Sequence, residues 1–174
     1  FAAGARSVTH LFNAMSQLGS RAPGLVGAAL ATGTVSAGLI ADGIHVHPQV
    51  MQAAWRAKTG PCGIYLVSDA MAVAGSSLRE FDLGGRRITR KNGALTLADG
   101  TLAGADLDLA RAVQVMVEDV GVPLADALRA ATSTPAALIG RSYALPPLSQ
   151  MQRLNPKTWA VQPAIEPHPD AQDL

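Results

Sequence analysis

The sequence predicts an α/β fold: parallel strands buried on both faces, with an antiparallel hairpin inserted among them. Three observations carry this. Three β-type runs each end in polar, chemically useful residues, segments with helical spacing lie between and after them, and an Asn92-Gly93 pair sits between two further runs.

The first strand run is Ser7 to Asn13, the second Val35 to His45, the third Gly63 to Ala70. None alternates cleanly between apolar and polar residues, which fits strands covered on both faces, as in parallel sheets. His10 and His45 stand 35 residues apart, and His45 and Asp69 stand 24 apart. Both gaps leave room for the crossover of a dozen or more residues that a parallel pair requires.

A helix is predicted from Pro48, at the first helical position after a capping His47, through Val50, Met51, Ala54 and Trp55 to the stop at Thr59-Gly60-Pro61. Residues 79–104 change character. Phe81 to Arg90 and Ala94 to Leu97 flank Lys91-Asn92-Gly93, and Asn-Gly between strand-like runs is a hairpin signal. Asp106 is the expected cap of the next helix, whose stripe is Leu109, Val113, Met116, Val117 and Val120, ended by Gly121. Pro123 opens a helix from Leu124 to about Ala131, and Thr134-Pro135 opens a short one ending at Gly140. After Arg141, repeated prolines from Pro146-Pro147 to Pro169 break every possible element. The expected organisation is therefore one α/β unit over 1–140, with 79–104 inserted, and an irregular, poorly ordered tail over 141–174.

Composition narrows the function. The 174 residues carry 14 basic and 13 acidic side chains, a net charge of +1. That balance gives no field to draw nucleic acid or an anionic membrane. Charged residues are 16% of the chain, against about 25% in a typical domain, which suggests a surface partly covered by something else. The longest apolar stretch, Leu25 to Ala41, is broken by Thr32, Thr34, Ser36 and three glycines. It falls short of the ~20 apolar residues of a membrane span, so a soluble protein is expected. The single Cys62 excludes an internal disulfide framework and fits a reducing, cytoplasmic compartment.

His10, His45 and Asp69 lie at or near the C-terminal ends of the three predicted parallel strands, where α/β sheets and barrels collect ligands and catalytic groups. Imidazole and carboxylate suit a catalytic divalent metal, and a carboxylate near activated water can take and return its proton. The same residues could instead be hydrogen-bonded structural groups. Asn13 and Ala14 could offer backbone N–H groups to an anion or simply form a turn. Arg21 is either a phosphate clamp or a loop cation. Arg86, Arg87, Arg90 and Lys91 read as a solvated hairpin face, and His168 as a solvated tail residue.

In order along the chain, Thr9-His10-Leu11-Phe12-Asn13-Ala14-Met15, Ser20-Arg21-Ala22-Pro23-Gly24, Ile40-Ala41-Asp42-Gly43-Ile44-His45-Val46, Val67-Ser68-Asp69-Ala70 and Leu102-Ala103-Gly104-Ala105 resemble the N-acetylglucosamine-6-phosphate deacetylases of the amidohydrolase superfamily. The resemblance covers residues 1–140. It implies the C-terminal part, strands six to eight, of a metal-dependent (β/α)8 barrel. It implies hydrolysis of the acetamide of N-acetylglucosamine 6-phosphate to glucosamine 6-phosphate and acetate, with a divalent metal, zinc or iron.

By the same resemblance, His10 is a metal ligand, His45 contacts the substrate carbonyl, and Asp69 is the catalytic acid/base. Asn13 and Ala14 hold the sugar phosphate, Arg21 reaches the phosphate of the neighbouring subunit's substrate in a homodimer, and a loop at Leu102, Ala103 and Gly104 lines the sugar pocket. The family's remaining metal ligands, a Glu and a His, belong to strands that would precede this chain. A (β/α)8 barrel needs ~250 residues, so the isolated chain is expected to be inactive. Two other readings stand beside it. One is an amidohydrolase acting on a cyclic amide or an N-acyl amino acid, against which the phosphate set argues. The other is a non-catalytic segment that folds only on a partner chain, with which the low charge is compatible.

Overall fold

The structure is a computed structural model that describes residues 1–142 and 151–163. Its first layer is a parallel sheet of β1 (Ser7–Val8), β2 (Ser36–Leu39) and β3 (Ile64–Leu66), in that spatial order. Ser7 aligns with Ser36, and Leu39 with Leu66. Every residue of the central β2 is buried, as expected of a strand covered on both faces. The strands are shorter than the apolar runs that announce them, because the chain leaves each of them for a loop before it reaches His10, His45 or Asp69.

Two helices make the crossovers. The first, α1 (Gly24–Ala31), buries Val26, Gly27, Ala29 and Leu30. It is apolar nearly all round and its N-terminus has no side-chain cap, so no amphipathic stripe marks it in the sequence. The second, α2 (Pro48–Ala57), begins where the sequence places it. His47 Nδ1 accepts from the amide of Gln49 at 3.2 Å and Pro48 is the first helical residue. Beyond its end, the amide of Thr59 donates to Leu30 O at 3.2 Å and that of Cys62 to Gly33 O at 3.1 Å. These bonds tie the two crossovers together at the N-terminal side of the sheet.

Residues 80–105 form a separate antiparallel sheet of β4 (Glu80–Leu83), β5 (Arg86–Lys91), β6 (Ala94–Thr96) and β7 (Leu102–Ala105), paired in chain order. Asn92 and Gly93 both take positive φ, 54° and 77°, and connect β5 to β6. Gly84-Gly85 makes a further turn inside the run 81–90. Val73, Ile88 and Leu95 form a small core of their own with Met71, Phe81, Leu97 and Ala103. Leu102, Ala103 and Gly104, expected on a loop, lie on strand β7. The segment Leu-Ala-Gly-Ala lacks alternation, and only pairing with β6 and a bridge between Ala70 and Ala105 make it a strand.

The basic cluster divides. Arg87 stays at the surface, paired with Asp82 at 2.7 Å and Glu80 at 2.8 Å. Arg90 turns inward. It meets Asp106 at 2.7 Å and donates to the carbonyls of Ser76 at 2.7 Å and Val73 at 3.0 Å. Asp106 is therefore not the cap of the following helix, α3 (Leu109–Glu118). The cap is Asp108, whose Oδ1 accepts from the amide of Arg111 at 2.7 Å. Then come α4 (Leu124–Ala131) and α5 (Ser133–Leu138). The main core gathers Leu11, Leu39, Ile40, Met51, Val115 and Met116, all fully buried.

The tail differs from its expectation where it is described. The strands β8 (Gln152–Leu154) and β9 (Val161–Pro163) pair antiparallel. Trp159 packs against the main core and its Nε1 donates to Glu118 at 2.6 Å. Pro163 is tolerated because it ends a strand at a sheet edge. Residues 143–150 and 164–174, His168 included, lie outside the described residues. Among the described residues, no helix is long and apolar enough to cross a membrane.

Candidate active site

Because β1, β2 and β3 run parallel, their C-terminal ends open onto one edge of the sheet, and three loops leave there carrying His10, His45 and Asp69. The first loop is wound tightly around a buried anchor. Leu11 is fully buried and its amide donates to Gly38 O at 2.7 Å. On either side of it the backbone is strained, with φ of 36° at His10, 78° at Phe12 and 50° at Ala14. Left-handed conformations at non-glycine residues cost on the order of 1–3 kcal/mol each and collect at functional sites, where the surroundings enforce them.

The same loop makes a shallow cleft of about 370 Å³, lined by His10, Ala14, Ser7, Met15 and Leu25. His10 Nδ1 is buried there without a hydrogen-bond partner among the described residues, an uncommon state for a buried polar atom and one that calls for a ligand or an ordered water. Asn13 Nδ2 donates to Leu11 O at 3.3 Å. Its side chain thus braces the loop, while Ala14 is exposed.

The second loop pivots on Asp42, a residue to which sequence reasoning gave no role. Oδ1 of Asp42 accepts from the amides of Ile44 and His45, both at 2.8 Å. Its Oδ2 lies 2.6 Å from His45 Nδ1, and both side chains are only 5% exposed. Burial by itself pushes the Asp42 carboxyl up. The bonds from the His45 ring and from the amides of His45 and Ile44 outweigh that and hold it below the ordinary carboxylate value. The signal in the sequence is Asp-Gly-x-His, an Asp able to fold back on amides two and three residues on.

The third loop holds Asp69, exposed and left-handed with φ of 46°. Its carbonyl accepts from the amide of Ala105 at 2.8 Å. Gly104 packs so closely that an added Cβ would lie 2.9 Å from Met71 Sδ and 3.1 Å from Asp69 O. The structure thus brings β7, with Leu102, Ala103 and Gly104, against the Asp69 turn. Arg21 is exposed on the loop closed by Gly19 N and Ala22 O at 2.9 Å, and it makes no side-chain hydrogen bond among the described residues.

Among the described residues, no group of three or more His, Cys, Asp or Glu side chains could hold a metal ion. His10, with its free buried nitrogen, fits as one ligand of a shared shell. It does not fit as a site by itself, since a catalytic metal takes about three protein ligands.

Comparison with known proteins settles the family. No family model matches the chain. It is 45% identical over 139 residues to an N-acetylgalactosamine-6-phosphate deacetylase of Shewanella sp. (strain ANA-3), covering 80% of this chain and 35% of that protein. A protein of Escherichia coli (strain K12), carrying the same name in provisional form, is 38% identical over 131 residues, or 75% of this chain and 77% of its own length. Among solved structures, the N-acetylglucosamine-6-phosphate deacetylase of Pasteurella multocida superposes with a TM-score of 0.76 at 34% identity, over 82% of this chain and 37% of that one. The chain spans about a third of the length of the Shewanella relative. On these matches, the chain belongs to the N-acetylglucosamine- and N-acetylgalactosamine-6-phosphate deacetylase family.

Proposed function

We propose that residues 1–140 are the C-terminal part, strands six to eight, of a metal-dependent (β/α)8 barrel with 79–104 inserted. The whole protein would hydrolyse the acetamide of an N-acetylated amino-sugar 6-phosphate to the amine and acetate. The observation that carries this is the gathering of His10, His45 and Asp69 on one edge of one parallel sheet, in a chain that matches deacetylases over 80% of its length.

In this reading Asp69 takes the proton of the attacking water and later delivers it to the leaving amine. His45 hydrogen-bonds the reacting carbonyl oxygen as charge develops on it. Asn13 and Ala14 receive the sugar phosphate through the Asn13 side-chain amide and the Ala14 backbone amide, since the Asn13 backbone amide is given to the His10 carbonyl at 2.9 Å, and Leu102, Ala103 and Gly104 form the wall beside the sugar. Arg21, on its exposed loop, reaches the phosphate held by the neighbouring subunit of a homodimer. A divalent cation, zinc or iron, held in part by His10, would supply Lewis acidity toward water. The other ligands would come from strands that this chain does not contain, in a protein of the cytoplasm.

The relatives are named for both the glucosamine and the galactosamine substrate, so both epimers belong in the assay. The chain alone, given zinc, is expected to release no acetate from either. A chimera in which residues 1–140 replace the matching segment of the Shewanella relative is expected to turn over. An inactive but folded chimera would count against the assignment.

A further inference from the structure

The Asp42–His45 pair carries more than proximity. Asp42 commits both carboxylate oxygens to its own loop: Oδ1 to the amides of Ile44 and His45, Oδ2 to the His45 ring at 2.6 Å. Gly43, with φ of 77°, permits the turn. An ionised carboxylate only accepts hydrogen bonds, so the proton on the bond must sit on Nδ1. The two side chains are 95% buried, which keeps the bond from being exchanged for water. His45 Nε2 makes no hydrogen bond among the described residues, so it is the ring nitrogen left for a ligand.

We propose that Asp42 is the positioning residue of this site: it locks His45 in the Nδ1–H tautomer and presents Nε2 to the substrate. This rests on the deacetylase reading and deepens it. A neutral ring held this way offers a bare lone pair at Nε2 and can only accept. To donate to a carbonyl oxygen, His45 must carry a second proton, on Nε2, while the Asp42 carboxylate holds the one on Nδ1. Asp42 would act through His45 without touching substrate.

The consequence is readable in the 174-residue chain by nitrogen-15 NMR of its four histidines, with His45 assigned against His45→Gln. The spectrum is followed through a pH series and the tautomer is read where the His45 ring has lost its second proton. The wild-type ring is expected to show the proton on Nδ1 and a free Nε2. In Asp42→Asn, the amide oxygen must serve the two backbone N–H groups, which turns the NH2 toward Nδ1. The ring proton should then move to Nε2. Asp42→Glu, which keeps the carboxylate, should return the proton to Nδ1.

A wild-type ring protonated on Nε2, an even mixture of tautomers, or an Asp42→Asn ring still protonated on Nδ1 would each overturn the proposal. The wild-type measurement decides even if a variant fails to fold. Acetate release plays no part in the readout, so absence of turnover bears on the deacetylase reading and leaves this result standing.

Discussion

The amide of Ala105 donates to the carbonyl oxygen of Asp69 at 2.8 Å, fastening the last strand of the antiparallel sheet to the loop that follows β3. Ala70 and Ala105 bridge in parallel beside it. The strained turn at Asp69 is thus braced by an element that begins only at residue 102, and Gly104 is what lets that element come so close.

Gly104→Ala is expected to destabilise the chain by about 2–3 kcal/mol, from a left-handed alanine plus overpacking against Met71. Urea unfolding measures the loss. In an active chimera, the same change should lower turnover by displacing Asp69. A neutral effect on both would show that β7 does not brace the turn.

Arg90 joins β5 to the segment that follows Asp69, through the carbonyls of Val73 and Ser76, and to Asp106 just past β7. Arg90 and Asp106 are 22% and 24% exposed, so water screens the pair only in part. Arg90→Ala is expected to cost about 1.5–3 kcal/mol, the usual range for hydrogen bonds from a charged group. Arg90→Lys should recover only part of it, because an ammonium lacks the planar fork. Hydrogen exchange should speed up at residues 73–78 in both variants.

Asp108→Ala is expected to destabilise α3 by about 1 kcal/mol as a lost cap. Asp106→Ala should instead free Arg90 and speed exchange at residues 73–78, leaving the first turn of α3 protected. The two patterns separate the observed cap from the one the sequence suggests.

Acidification tests the Asp42 bonds. The folded carboxyl lies below its ordinary value of 3.8, so its contribution is complete above that value and is lost as pH falls through the folded one. The stability gap between wild type and Asp42→Asn should therefore narrow below about pH 4. Asp82, held low by Arg87, and Asp99, held low by Thr101, are common to both proteins and cancel in the difference. A gap that stays constant down to about pH 2 would contradict the assignment of charge to Asp42.

Much of this architecture can be read from residue order. Pro48 after His47 and the Asn92-Gly93 turn each carry a local physical cause that tertiary packing leaves intact. The stripe Leu109 to Val120 marks the right helix but not its whole buried face, because Leu109 is exposed and Ala112 and Val115 are buried beside Val113 and Met116. Other elements lack one. The α1 segment, Gly-Leu-Val-Gly-Ala-Ala-Leu-Ala, is apolar on every face, so its helical period is invisible. The β7 segment becomes a strand only through β6, and β8 and β9 form among prolines that strand patterning penalises.

Asp106 is the cap that residue order suggests, and Asp108 is the one observed. Arg90, sixteen residues before Asp106, decides between them. At the candidate site, the residue types His10, His45 and Asp69 are legible. The left-handed backbone at His10 and Asp69 and the closure of Asp42 onto His45 are products of the fold.

Arg21→Ala, in an active chimera, is expected to raise KM for the phosphorylated sugar at least tenfold, equivalent to about 1.4 kcal/mol, and to leave the unphosphorylated sugar nearly unaffected. Equal effects on both would remove Arg21 from phosphate recognition.

The most direct measurement is acetate release by the chimera carrying residues 1–140, with and without Asp69→Asn. Turnover of an N-acetylated amino-sugar 6-phosphate by the parent chimera is expected, with a loss of at least a hundredfold on Asp69→Asn, the lower reach of general acid–base catalysis. A folded Asp69→Asn chimera that turns over at the parent rate would contradict it.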